Sequence, residues 1–140
     1  MQPRYDASVR VALTMLGALH LAVAVWHGAA HTELGVGLSP MQNLFVYLVI
    51  VAAPMVAVAL LWTRYVRPGV WLFLTAICAS LLFGVHYHYV AISPDNIHHL
   101  PTGSAAAHAR FISSAAVLAL TELAAALYAA FVLGVYAGRR

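Results

Sequence analysis

Among the histidine, cysteine and carboxylate side chains that commonly bind metal ions, most in this sequence are imidazoles. Eight histidines stand beside four carboxylates and one cysteine, and the seven basic residues are all arginine. Neutral imidazole is the commonest transition-metal ligand, and it costs less near lipid than a charged group does. His27 and His31 are four residues apart, the spacing that lets two imidazoles on one helical face chelate one ion. His20 lies seven residues earlier, and at about 100° per residue all three project within about 40° of one another. His86 and His88 are two apart, which turns them about 200° from each other on a helix, so only one of them faces a common point unless the helix unwinds there. Asp95, His98 and His99 follow in a stretch that also holds Pro94, and His108 comes next.

Those residues are carried by a chain with the composition of a membrane protein. Of its 140 residues 64% are hydrophobic and 8% charged, with a mean hydropathy of +0.88. A bilayer core of roughly 30 Å takes about 20 helical residues. Four windows fit, at about 9–32, 40–63, 69–92 and 105–137, and all are rich in Ala, Val and Leu rather than alternating as barrel strands do. The expectation is an all-α fold, an integral membrane four-helix bundle forming a single four-span domain over residues 1–140.

Local chemistry marks the boundaries. Ser39, Pro40 and Gln42 provide an N-cap, a proline at the first helical position and the far half of a capping box, so the second helix starts there. Arg67-Pro68-Gly69 reads as the turn into the third helix, and Ser93-Pro94-Asp95-Asn96 as its end. Pro54 falls inside the second span, where neighbouring helices tolerate a kink. Arg4 and Arg10 before an apolar run, with small residues at Ala22 and Ala24, have the outline of a signal peptide. His20 would interrupt its hydrophobic core, so the first helix is read as retained.

Arginine sets the orientation. Arg4, Arg10, Arg64, Arg67, Arg139 and Arg140 gather on one side of an even number of spans, with Arg110 alone toward the other. The positive-inside rule then places both termini in the cytoplasm and the 33–39 and 93–104 loops outside, in a bacterial inner (cytoplasmic) membrane. Seven of the eight histidines come to the outer, periplasmic face.

A shared depth turns scattered imidazoles into a metal-site layout. His27, His31, His86 and His108 are the expected ligands. His88, His98, His99 and Asp95 are expected as additional ligands or as partners that orient them, with Glu33 a nearby carboxylate. Imidazole donors with so few thiols suit copper, zinc or non-haem iron and disfavour an iron–sulfur cluster. His20 and Glu122 sit deeper and near the same level, as an intramembrane polar pair that would serve a proton path; the plainer reading is a protonated Glu122 on a hydroxyl such as Thr121 or Tyr128. Cys78, mid-span, has no disulfide partner and reads as a small buried side chain.

Three function classes follow. The first is a membrane metalloprotein with a histidine-rich site near the outer face, for redox or oxygen chemistry, possible as a membrane oxidoreductase, or for metal handling. The second is a b-type haem electron carrier with bis-histidine ligation, His27 or His31 facing His86 or His108. The third is a non-catalytic accessory subunit of a larger membrane complex. The expected partners are the lipid bilayer and, through the alanine-rich surface of the fourth helix around Ala115, Ala119 and Ala126, a second copy of the chain in a homo-oligomer. There is no phosphate-binding glycine loop, no nucleophile elbow and no basic patch for nucleic acid.

Overall fold

In hydrocarbon every backbone N–H and C=O must be paired within the protein, which helices achieve along their own length. The computed structural model describes residues 5–137 and folds as four such helices: α1 (Ala7–Leu34), α2 (Pro40–Leu61), α3 (Val66–Val90) and α4 (Ala105–Ala137). Each is long and apolar enough to cross a membrane, so the chain is a multi-pass membrane protein of helical class, and no strand occurs among the described residues. Arg4, Arg139 and Arg140, used above for orientation, lie outside the described residues.

The helix ends follow from their sequences. Ser39 Oγ accepts from the Gln42 N–H and the Gln42 side chain accepts from the Ser39 N–H, which completes the capping box at the start of α2. Gly35 ends α1 with φ of 64°, a left-handed conformation that only glycine adopts without strain. The turn between α2 and α3 falls at residues 62–65 rather than at Arg67-Pro68-Gly69. Pro68 stands instead in the first turn of α3, where its missing N–H would have had no intrahelical acceptor. Gly69 lets the two helices close beside it, for a β-carbon there would stand 3.0 Å from the Ala57 carbonyl oxygen.

Two stretches depart from α-helix. Residues Val46–Ala52 of α2 and His86–Val90 of α3 are π-helical, with the wider i to i+5 pairing that frees carbonyls and shifts side-chain register. Both border the site described below.

Around the bundle, α1 packs on α4, α4 on α3, and α3 on α2. The fourth seam is the sparsest: α1 meets α2 chiefly from Val46 onward. At the end bearing the chain termini, Leu13, Leu61, Phe73, Ile77, Ala125 and Val132 form the larger apolar core. Tyr5 and Tyr136 stack there at 4.4 Å, and the Tyr136 hydroxyl donates to Asp6. At the opposite end Ala30, Leu34, Val36, Ala107 and Phe111 form a smaller core, joined by Ile97 and Leu100 of the α3–α4 loop. The polar residues of interest lie between these two cores.

Candidate metal centre

His27 and His31 stand one turn apart on α1, and the π-helical end of α3 brings His88 to them. His27 Nε2 is 3.0 Å from His88 Nε2 and 3.1 Å from His31 Nε2. One ligand atom from each of the three imidazoles falls within 4.8 Å of the others. Phe111 of α4 backs the group, its ring centroid 4.9–5.6 Å from all three imidazoles.

The other ring nitrogens settle the tautomers. His88 Nδ1 meets the Asp95 carbonyl oxygen at 3.0 Å and His31 Nδ1 meets the Val36 carbonyl at 3.3 Å. A carbonyl only accepts, so each Nδ1 carries the proton. His27 Nδ1 lies 2.9 Å from Ser114 Oγ, whose own hydrogen is directed at the Phe111 carbonyl, so His27 donates there too. All three neutral rings therefore turn unprotonated Nε2 lone pairs toward one another. Two nitrogens bound to one tetrahedral metal at about 2.05 Å would stand about 3.3 Å apart, a few tenths wider than the contacts seen.

A carboxylate completes the group. Asp95 Oδ1 lies 3.2 Å from His31 Nε2 and 3.1 Å from His88 Nδ1, in a side chain that is 6% exposed in the folded chain. Neither carboxylate oxygen receives a well-directed hydrogen bond. Burial pushes the Asp95 carboxyl up, but the neighbouring imidazoles, His88 first and then His31 and His27, outweigh it and hold the carboxyl below its ordinary 3.8. The loop is folded to keep Asp95 inward. Ile97 N–H donates to the His88 carbonyl and Asn96 Nδ2 to the Ala91 carbonyl, which caps α3 and bends residues 91–97 back over its end.

The other candidate residues take different places. His86 is exposed, with its ring edge on Tyr87, because the two-residue offset from His88 carries it to the outer side of α3. His108, on the first turn of α4, is half-buried and donates from Nε2 to the Pro101 carbonyl at 2.8 Å, a bond that turns its ring back onto the loop and away from the cluster. The four-imidazole set His27, His31, His86 and His108 is thus not the one that converges. His98 and His99 are exposed in the loop, and Glu33 pairs with Arg110 on the surface. Deeper, His20 Nδ1 and Glu122 Oε1 are 3.4 Å apart, and the Glu122 carboxylate accepts from Ser80 rather than from Thr121 or Tyr128. Ser80 and Ser114 carry no sequence signal of their own. The nearest to one is the ladder Ser80, Gly84, His88 at steps of four.

Next to the cluster is a cavity of about 580 Å³, bounded by His27, His31, His88, Asp95 and Ser80 on its polar side. Val25, Tyr47, Ile50, Phe83 and Leu118 are the larger apolar side chains on the remaining wall. It occupies the gap that α1 and α2 leave open, where Gly28 faces empty space. Its wall includes both π-helical segments.

No protein-family model, curated protein or solved structure matches this chain.

Proposed function

We propose that the chain is an integral membrane metalloprotein that binds one transition-metal ion through His27, His31 and His88, with Asp95 as a fourth donor, and acts with it on a small molecule in the adjoining cavity. The observation that carries the reading is the convergence of three Nε2 lone pairs, each fixed by an acceptor on its Nδ1. Such an arrangement favours a cation among the rings. A proton relieves one nitrogen–nitrogen contact at a time, whereas a metal ion relieves all of them and answers the Asp95 charge as well.

Three imidazoles and a carboxylate suit copper, zinc or iron. The cavity beside the cluster leaves room for a further ligand on the ion, the feature that separates reactive sites from purely structural ones. The bound metal would supply Lewis-acid or one-electron chemistry, and the protein would supply a dry, mostly apolar chamber. Arg10, Arg64 and Arg67 at the far end of the bundle favour a cytoplasmic location for that end and put the site toward the outer face. A bis-histidine haem fits less well, since its axial nitrogens stand about 4 Å apart across a macrocycle, and here Nε2 atoms 3.0 Å apart with a third ring beside them leave no plane for it.

The test is a metal inventory and optical spectrum of detergent-purified protein, wild type against the double variant His27→Ala/His88→Ala. Stoichiometric copper, zinc or iron, lost in the variant, supports the reading. A Soret band replaces it with the haem carrier. Folded protein that takes up neither metal nor haem, when offered each, refutes it.

A further inference from the structure

We propose that Ser80, Glu122 and His20 form a proton relay that opens onto the cavity and stores one proton for it. The argument begins at Pro54. Proline has no N–H, so the Ile50 carbonyl four residues earlier loses its α-helical donor. His20 Nε2 lies 2.9 Å from that carbonyl and must be the donor to it. The His20 Nδ1 lone pair is thereby left facing Glu122 Oε1 at 3.4 Å. Ser80 donates its hydroxyl to the same carboxyl oxygen, and Ser80 also lines the cavity shared with His27 and His88.

His20 and Glu122 are each 1% exposed at mid-bundle. Net charge at that depth is costly, so the pair retains one proton, on the carboxyl or on Nδ1, either of which leaves it neutral. Serving the Ile50 carbonyl needs His20 alone. A carboxyl beside it adds cost that packing does not require, and it supplies what an amide could not, an exchangeable acid. The groups acting on Glu122 are His20 from α1 and Ser80 from α3, with His88 the next ionisable neighbour on α3. From α2 the Ile50 carbonyl acts through His20.

Delivery is a paired transfer. The Ser80 hydroxyl first rotates from the Glu122 oxygen toward the cavity; its proton then passes to a water or ligand there as the Glu122 proton moves onto Ser80 Oγ, leaving a carboxylate. The reverse transfer recharges it. No electron moves, and a cation in the His27–His31–His88 site compensates the charge left behind. Only that coupling rests on the metal reading.

The chain has two glutamates, Glu33 and Glu122. Carbon-13 glutamate in a Glu33→Gln background therefore labels the relay carboxyl alone. Infrared spectra in liposomes, metal-free and with zinc, read its protonation and its exchange in deuterium oxide. In metal-free protein the labelled group should titrate as a single proton and exchange within minutes. Ser80→Ala should slow exchange by about tenfold or more, and Ser80→Thr, which keeps the hydroxyl, should restore it. Zinc should lower the midpoint by about one pH unit per net charge added, for charges about 12 Å apart, the rise from Ser80 to His88, in an effective dielectric near 20. A carboxyl that fails to exchange over hours, or that exchanges equally fast in folded Ser80→Ala, overturns the relay. Zinc that binds without moving the midpoint overturns the coupling. If zinc does not bind, the metal reading fails, and the metal-free exchange still decides the relay.

Discussion

His86 and His88 are equivalent in residue type and two positions apart, and the structure makes them opposite in consequence. His88 is 5% exposed, contributes a lone pair 3.0 Å from that of His27, and anchors Asp95 through Nδ1. His86 is exposed and touches Tyr87. Apparent binding energies of about 10–16 kcal/mol for four-ligand zinc sites share out to roughly 3–4 kcal/mol per ligand. His88→Ala removes one of three nitrogens and loosens the carboxylate too, so zinc affinity should fall by about 10²–10³-fold. His86→Ala should change it by less than about threefold. The assay is competition with a chromophoric chelator on detergent-solubilised protein at fixed pH, with helicity and unfolding midpoint confirming that each variant is folded. Equal losses in the two variants, or a wild-type affinity in folded His88→Ala, would refute the assignment of the inward face of α3 and with it the site.

Other outcomes follow from the same geometry. Ser114→Ala leaves His27 Nδ1 without its acceptor, so metal affinity should drop about 10–100-fold with the helical content unchanged; chelator competition reads it. Gly35→Ala places a β-carbon at φ of 64° and should lower stability by about 1 kcal/mol, measured as a lower thermal midpoint in detergent. Asp95 has a folded carboxyl held below its ordinary value, so its contribution is present above about pH 4 and is lost as pH falls through the lowered value. The stability difference between metal-free wild type and Asp95→Asn should accordingly be constant near neutrality and close in acid; a gap that persists or widens at low pH would show that the contacts around Asp95 do not depend on its charge.

The spans were legible because a bilayer demands long apolar runs, and because the Ser39–Gln42 capping box is local chemistry readable from four residues. The start of α3 was less so, since proline signals both a turn and a first helical turn, and only packing against α2 selects between them. The choice between His86 and His88 depends on the rotation of α3 about its axis and on one extra residue in its last turn, neither of which is encoded within a few positions. Depth and angle along two helices bring His20 and Glu122 to one level. Their link to the cavity runs through Ser80, an ordinary hydroxyl in an apolar span, and through a carbonyl freed by Pro54, where the informative fact is a missing hydrogen. His108 shows the converse limit: the right depth did not bring it to the cluster, because a backbone oxygen seven residues away engages its Nε2.

The gap between α1 and α2 also changes what concentration means for this protein. Val25 and Tyr47, on the wall of the cavity, are both exposed in the folded chain at a level the bilayer would cover. A molecule reaching the chamber there comes from the hydrocarbon, where its abundance is its partition coefficient multiplied by its aqueous level. Acyl chains and detergent tails are then competitors present in great excess. Apparent affinities for an apolar compound should scale with the lipid-to-protein ratio, and changing the detergent should act as an inhibitor would.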